Sequence, residues 1–153
     1  MALLIGVPLL IVSLPFMVIG LLAHVVSKVS INMLAWCWWC TTGRCVLLVY
    51  SDSVIWKDYF EKVVLPAIRD EAVILNVSHR RKWRPSLAVW AFHHYAGRVN
   101  YNPAAFVFRP LRRVETLRYY MPFKEWKRGH PESVEALTAR LLQLAGSSSH
   151  AAA

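Results

Sequence analysis

The sequence predicts an N-terminal transmembrane helix followed by a small α/β domain. Three observations carry that prediction. Residues 2–27 contain no Lys, Arg, Asp or Glu. All 18 Lys and Arg and all 9 Asp and Glu lie from Lys28 onward. Beyond residue 44, short apolar runs alternate with stretches of helical period, the pattern of buried strands separated by helices.

The segment "ALLIGVPLLIVSLPFMVIGLLAHVVS" is long enough to cross a bilayer, which takes roughly 20 apolar residues. A cleaved signal peptide would have a basic start and a shorter apolar core of about 7–15 residues. Neither is present, so residues 1–27 are expected to form an anchor. Pro8 and Pro15 are tolerable within a membrane helix. Lys28 and Arg44 follow the apolar run, and positive charge on that side places the C-terminal domain in the cytoplasm. Cys37, Cys40 and Cys45 fit that reducing compartment.

Residues 28–43 form a Trp- and Cys-rich piece, too short to span alone. Trp36, Trp38 and Trp39 suit the headgroup layer, where an indole keeps its N–H wet and its body dry. The expectation is an interfacial segment. Cys37 and Cys40 form a C-x-x-C, but a zinc site needs four ligands and no second pair or His follows at ligand spacing. No metal and no cofactor is expected. Thiol redox through Cys37 and Cys40 remains an alternative.

The expected domain covers 44–146, with 147–153 as a disordered tail. Val46–Tyr50 is a continuous apolar, β-rich run ending in Ser51-Asp52-Ser53, a helix-capping sequence. Residues 54–68 place Ile55, Tyr59, Val63 and Ala67 at helical spacing, with Pro66 bending or ending the helix. Residues 72–78 read as a second strand, and 79–85 as a basic loop. Residues 86–97 read as a helix capped by Ser86 and stopped by Gly97. Residues 104–109 and 112–120 read as a third strand and an antiparallel fourth. A short turn or helix over 123–130 precedes a helix at 131–146, with Pro131 in its first turn. Helical crossovers between the first three strands favour parallel pairing.

The order β-α-β-α-β-β-α from 46 to 146 resembles the thioredoxin-like fold. Asn102-Pro103 stands just before the third strand, where that family places a cis-proline facing its active site. Flavodoxin-like and other small α/β sandwiches stay open. The resemblance implies a C-x-x-C after the first strand, where a helix N-terminus lowers a thiol pKa. That place is residues 51–56, "SDSVIW", and it holds no cysteine. The family's dithiol chemistry therefore does not carry over.

The candidate ligand or partner site is Ser51, Asp52, Ser53 and Trp56 with the Pro103 loop, at the strand edge where α/β sheets bind ligands. Arg80, Arg81, Lys82 and Arg84 are the candidate anionic surface contact. A cytoplasmic leaflet attracts such residues by about 1 kcal/mol each. Trp83 among them is compatible with nucleic acid, but membrane tethering favours lipid or a protein partner. The expected function is a membrane-anchored, non-catalytic thioredoxin-like binding or assembly module. The enzyme alternative is a small α/β enzyme acting on a polar substrate at Ser51–Ser53.

Overall fold

A computed structural model describes residues 2–97, 102–109 and 112–149; the side chains of 2–12, Cys40, Ser148 and Ser149 are outside that description. The chain opens with one long helix, α1 (Ala2–Trp39), continuous through Pro8 and Pro15. A 3-10 turn (Cys40–Thr42) follows it. Gly43 then turns the chain at φ +77°, a left-handed conformation that glycine adopts without a Cβ clash. From Ser13 to Trp39, α1 is long and apolar enough to cross a membrane.

Strand β1 (Val46–Tyr50) lies inside a four-stranded sheet of order β2-β1-β3-β4, with β2 at Ala72–Asn76, β3 at Ala104–Val107 and β4 at Glu115–Arg118. β1 pairs parallel with β2, Val46 opposite Ala72. It pairs antiparallel with β3, Val46 opposite Val107 and Val49 opposite Ala104. β4 pairs antiparallel with β3.

The antiparallel β1–β3 pair corrects the expectation of three parallel strands. After β2 the chain turns through a 3-10 segment (Val77–Lys82). It then comes back along the sheet, so that Pro85 and Ser86 share a groove with Val73 and Leu75. Helix α4 (Leu87–Tyr95) therefore leads back toward the end at which β2 finished. β3 enters from that end and must run the other way. This mixed order resembles thioredoxin-like topology, and the Asn102–Pro103 peptide is cis.

Elements end where local chemistry ends them. β2 stops at Asn76, not residue 78, because the Asn76 side chain accepts from the Ser78 N–H (2.9 Å) and starts a turn. The Ser86 hydroxyl accepts from Val89 N (3.4 Å) and caps α4. Gly97 (φ +72°) ends it. Residues 57–68 form one helical stretch, α2 (Lys57–Tyr59) and α3 (Leu65–Ile68) joined by a π-helical turn, Phe60–Val64. Leu65 N bonds Phe60 O, five residues back. Pro66 lacks an N–H and crowds the carbonyl four residues before it, and the widened turn gives it room. The chain bends there rather than stopping. β4 leads into α5 (Tyr120–Trp126), which packs on α6 (Glu132–Ser149). α6 extends through Ser147–Ser149, three residues that had been expected in the tail; residues 150–153 lie outside the described ones.

β1 is buried along its whole length because both faces of the sheet are covered. Val46, Leu48 and Tyr50 point to one side, toward Phe60, Ile68, Tyr119, Phe123 and Leu141. Leu47 and Val49 point to the other, toward Ala88, Ala91, Phe92, Phe106 and Phe108. Ala35 and Trp39 of α1 belong to this second core. Trp39 is 6% exposed and meets Phe108 edge-on at 5.4 Å. It is a core residue, not the headgroup residue expected from the sequence. Trp36 is half-buried and Trp38 is 73% exposed.

Candidate functional site

The C-terminal end of β1 carries Ser51-Asp52-Ser53, and three loops converge on it. The Ser51 hydroxyl accepts from Trp56 Nε1 (3.2 Å) and from Asn102 Nδ2 (2.9 Å). Ser51, Trp56 and the Pro103 loop are thus brought together, as the sequence pattern suggested. Trp56 is buried against Phe123 and Tyr120, with ring centroids 6.0 and 6.4 Å away. Pro103 is buried, and its carbonyl accepts from Tyr119 N (2.9 Å). The Asn102 carbonyl oxygen Oδ1 is buried without a partner among the described residues.

Asp52 faces away from this group. Its backbone N–H donates to Ser78 Oγ (2.9 Å). Its carboxylate accepts from Asn76 Nδ2 (3.0 Å) and lies 3.3 Å from Lys57 Nζ. The Asn76 hydrogen bond, helped by Lys57, holds the Asp52 carboxyl below its usual pKa. The same contact raises Lys57. The pair is partly exposed and screened by water, so it orders the loop more than it stabilises the fold. Ser53 serves the backbone: its carbonyl accepts from Lys57 N (2.9 Å) and Trp56 N (3.3 Å). Val54, beside it, is 97% exposed. The carboxylate of Asp52 and the hydroxyl of Ser51 therefore belong to two separate hydrogen-bond groups.

Lys57, Asn76, Ser78 and Asn102 complete this edge, and the sequence reading did not single them out as site residues. Asn76 and Ser78 had a local signal, an Asn two residues before a Ser at a strand end, which favours an Asx-type turn. Asn102 had none, because its partner Ser51 lies 51 residues away, whereas Lys57 sits five residues after Asp52 in the same segment.

The basic loop adjoins this edge through Ser78. Arg80 and Arg81 line a groove of about 630 Å³ with Val77 and Ser78. Arg80, Arg81, Lys82 and Arg84 are all exposed. Trp83 ties the loop down: its Nε1 donates to Asn76 O (3.0 Å) and its ring meets Phe92 edge-on at 5.3 Å.

Cys37 is exposed and Cys45 buried; the Cys40 side chain lies outside the described residues. His93 is exposed, whereas His94 lies against α1 with its ring 5.6 Å from that of His24. Among the described residues no three His, Cys, Asp or Glu side chains gather as a metal site. Comparison with known proteins finds no matching family model, curated protein or solved structure.

Proposed function

We propose that this chain is a single-pass membrane protein whose thioredoxin-like domain, on the cytoplasmic side, is a non-catalytic binding or assembly module. The observation that carries this reading is the chemistry of residues 51–56. The strand–helix junction where the thioredoxin-like family holds its reactive thiols carries Ser51, Asp52 and Ser53 instead. The Ser51 hydroxyl accepts two hydrogen bonds, and neither donor is a general base. Asp52 is occupied by Asn76 and Lys57. A nucleophile needs an adjacent base or a lowered pKa, and the Ser51 group supplies neither. The uncharged run 2–27 supports the anchor, and Lys28 and Arg44 beyond it support the orientation.

Topology and thiol state, measured together, test the reading. A reporter is fused after Ala153, and single-cysteine variants in intact cells are treated with an impermeant thiol reagent. The expected result is a cytoplasmic C-terminus with Cys37 and Cys40 reduced and shielded. An exported domain with a Cys37–Cys40 disulfide would replace this reading with envelope redox or assembly chemistry. A second test separates module from enzyme. Ser51→Ala, Asp52→Asn and Ser53→Ala, made singly, are expected to leave function intact. Changing Arg80, Arg81, Lys82 and Arg84 together to Ser is expected to abolish membrane or partner contact. An enzyme would show the reverse.

A further inference from the structure

A second basic site, distant from the 80–84 loop in sequence, lies where α1 meets the β3–β4 hairpin. The hairpin is clamped to α1: Asn32 Nδ2 donates to the Arg112 carbonyl (3.2 Å) across 80 residues of sequence. This clamp brings Arg112 and Arg113 beside Lys28, about one helical turn from Asn32 on the same face of α1. Lys28, Arg109, Arg112 and Arg113 together line a groove of about 740 Å³.

Four features point to what the groove holds. It carries four cations, and among the described residues Lys28, Arg112 and Arg113 make no ion pair. Arg109 donates through one terminal nitrogen to Glu115 (2.8 Å), while its Nε is buried without a partner. The groove floor is apolar: Val25 and Val29 of α1 flank Lys28 and are 49% and 57% exposed. Lys28 is the first charge after the uncharged residues 2–27. That run is about 39 Å of helix at about 1.5 Å per residue, which carries Lys28 past a hydrocarbon core of about 30 Å.

We propose that this groove binds the phosphate of an anionic membrane lipid, with Lys28, Arg112 and Arg113 around the headgroup and the acyl chains leaving along Val25 and Val29. The site rests on the membrane-anchor reading given above. Guanidinium groups match phosphate oxygens in two-point hydrogen bonds, and basic pockets beside membrane helices recognise anionic headgroups. A soluble phosphate compound would have no use for the apolar floor. Each cation is expected to contribute about a fivefold gain in affinity.

The test uses the full chain purified in detergent, with retained lipid counted by native mass spectrometry. Phosphatidylglycerol and phosphatidylcholine are offered in equal amounts. Wild type is expected to keep phosphatidylglycerol at least tenfold over phosphatidylcholine. Arg112→Ser with Arg113→Ser is expected to lower that preference at least tenfold, and Lys28→Gln about fivefold. Lys127→Ser with Arg128→Ser, two exposed cations just after α5, is the control and should leave the preference unchanged. The clamp to Asn32 uses the Arg112 backbone, so these variants keep it; an unchanged melting temperature verifies folding. Equal retention of the two lipids, or an equal loss in the control, would overturn the site. Displacement by millimolar inorganic phosphate would assign it to a soluble anion and overturn the lipid form. Carbonate extraction is run in parallel. A chain washed from membranes fails the anchor reading and takes this site with it, whereas a retained chain without lipid preference fails the site alone.

Discussion

The two faces of the sheet are built differently. The first is covered by 57–68, α5 and α6, and it is aromatic: Phe60, Tyr119 and Phe123 pack with centroids 5.1 to 6.2 Å apart. All of its covering elements come from the domain itself. The second is covered by α4 and by the end of α1, and it mixes the aromatics Trp39, Phe92, Phe106 and Phe108 with more small residues: Ala35, Ala88, Ala91, Ala96 and Ala104 are all buried. Small side chains let the α4 and α1 backbones approach the sheet closely. The comparison teaches that the last turns of α1, through Ala35 and Trp39, pack into the domain's second core. Earlier in the same helix, residues 14–30 are exposed, with Phe16 and Met17 71% and 72% exposed.

The largest test of that contrast is deletion. Removing residues 1–43 takes Ala35 and Trp39 out of the second core and uncovers the Phe108 ring that Trp39 meets. Each large buried apolar side chain contributes about 1.5–3 kcal/mol, against a total stability of about 5–15 kcal/mol. The truncated chain is expected to aggregate or melt without cooperativity. Removing only residues 1–23 keeps the docked turns and should preserve a cooperative thermal transition followed by circular dichroism. A stable, cooperative chain without residues 1–43 would break the comparison.

Single substitutions sharpen it. Phe60→Ala, in the aromatic core, should cost about 3–5 kcal/mol in denaturant unfolding, and Trp39→Ala a similar amount. A Trp39→Ala cost below about 1 kcal/mol would mean that α1 merely rests on the domain. Ala91→Leu probes the close approach of α4. Ala91 is fully buried, so overpacking there should cost about 1–3 kcal/mol, whereas Leu142→Ala on the exposed side of α6 should cost little.

The rim at Ser51–Ser53 should respond least, because neither core reaches Asp52. With its pKa lowered, Asp52 supports the folded state above the ordinary carboxylate range, and that support is lost as pH falls through its folded-state pKa. Asn76→Ala should move the Asp52 titration upward, as read by carboxyl-carbon NMR, with a barely altered melting temperature. An unmoved titration would mean that Asn76 does not hold the carboxylate.

Much of the fold was legible along the chain. The four strands, the Ser86 cap, the Gly97 stop and the long apolar helix depend on neighbours within a few residues, and runs, periods and caps report such neighbours directly. Of the candidate site, the convergence of Ser51, Trp56 and the Pro103 loop was legible, through the order of elements. Its division into a Ser51 group and an Asp52 group was not, since Asn102 reaches Ser51 across 51 residues and Asn76 reaches Asp52 across 24.

The sequence by itself determined where strands and helices form, where charge begins and which junction lacks thiols, because these are properties of local composition and spacing. Only the tertiary structure decided the direction of β3, the burial of Trp39 and the meeting of Lys28 with Arg112 and Arg113. Those depend on how the loop after β2 returns along the sheet and on which face of α1 the α4 and hairpin surfaces can pack against. Such choices follow from the volume and shape of side chains distant in sequence, and no local pattern encodes them.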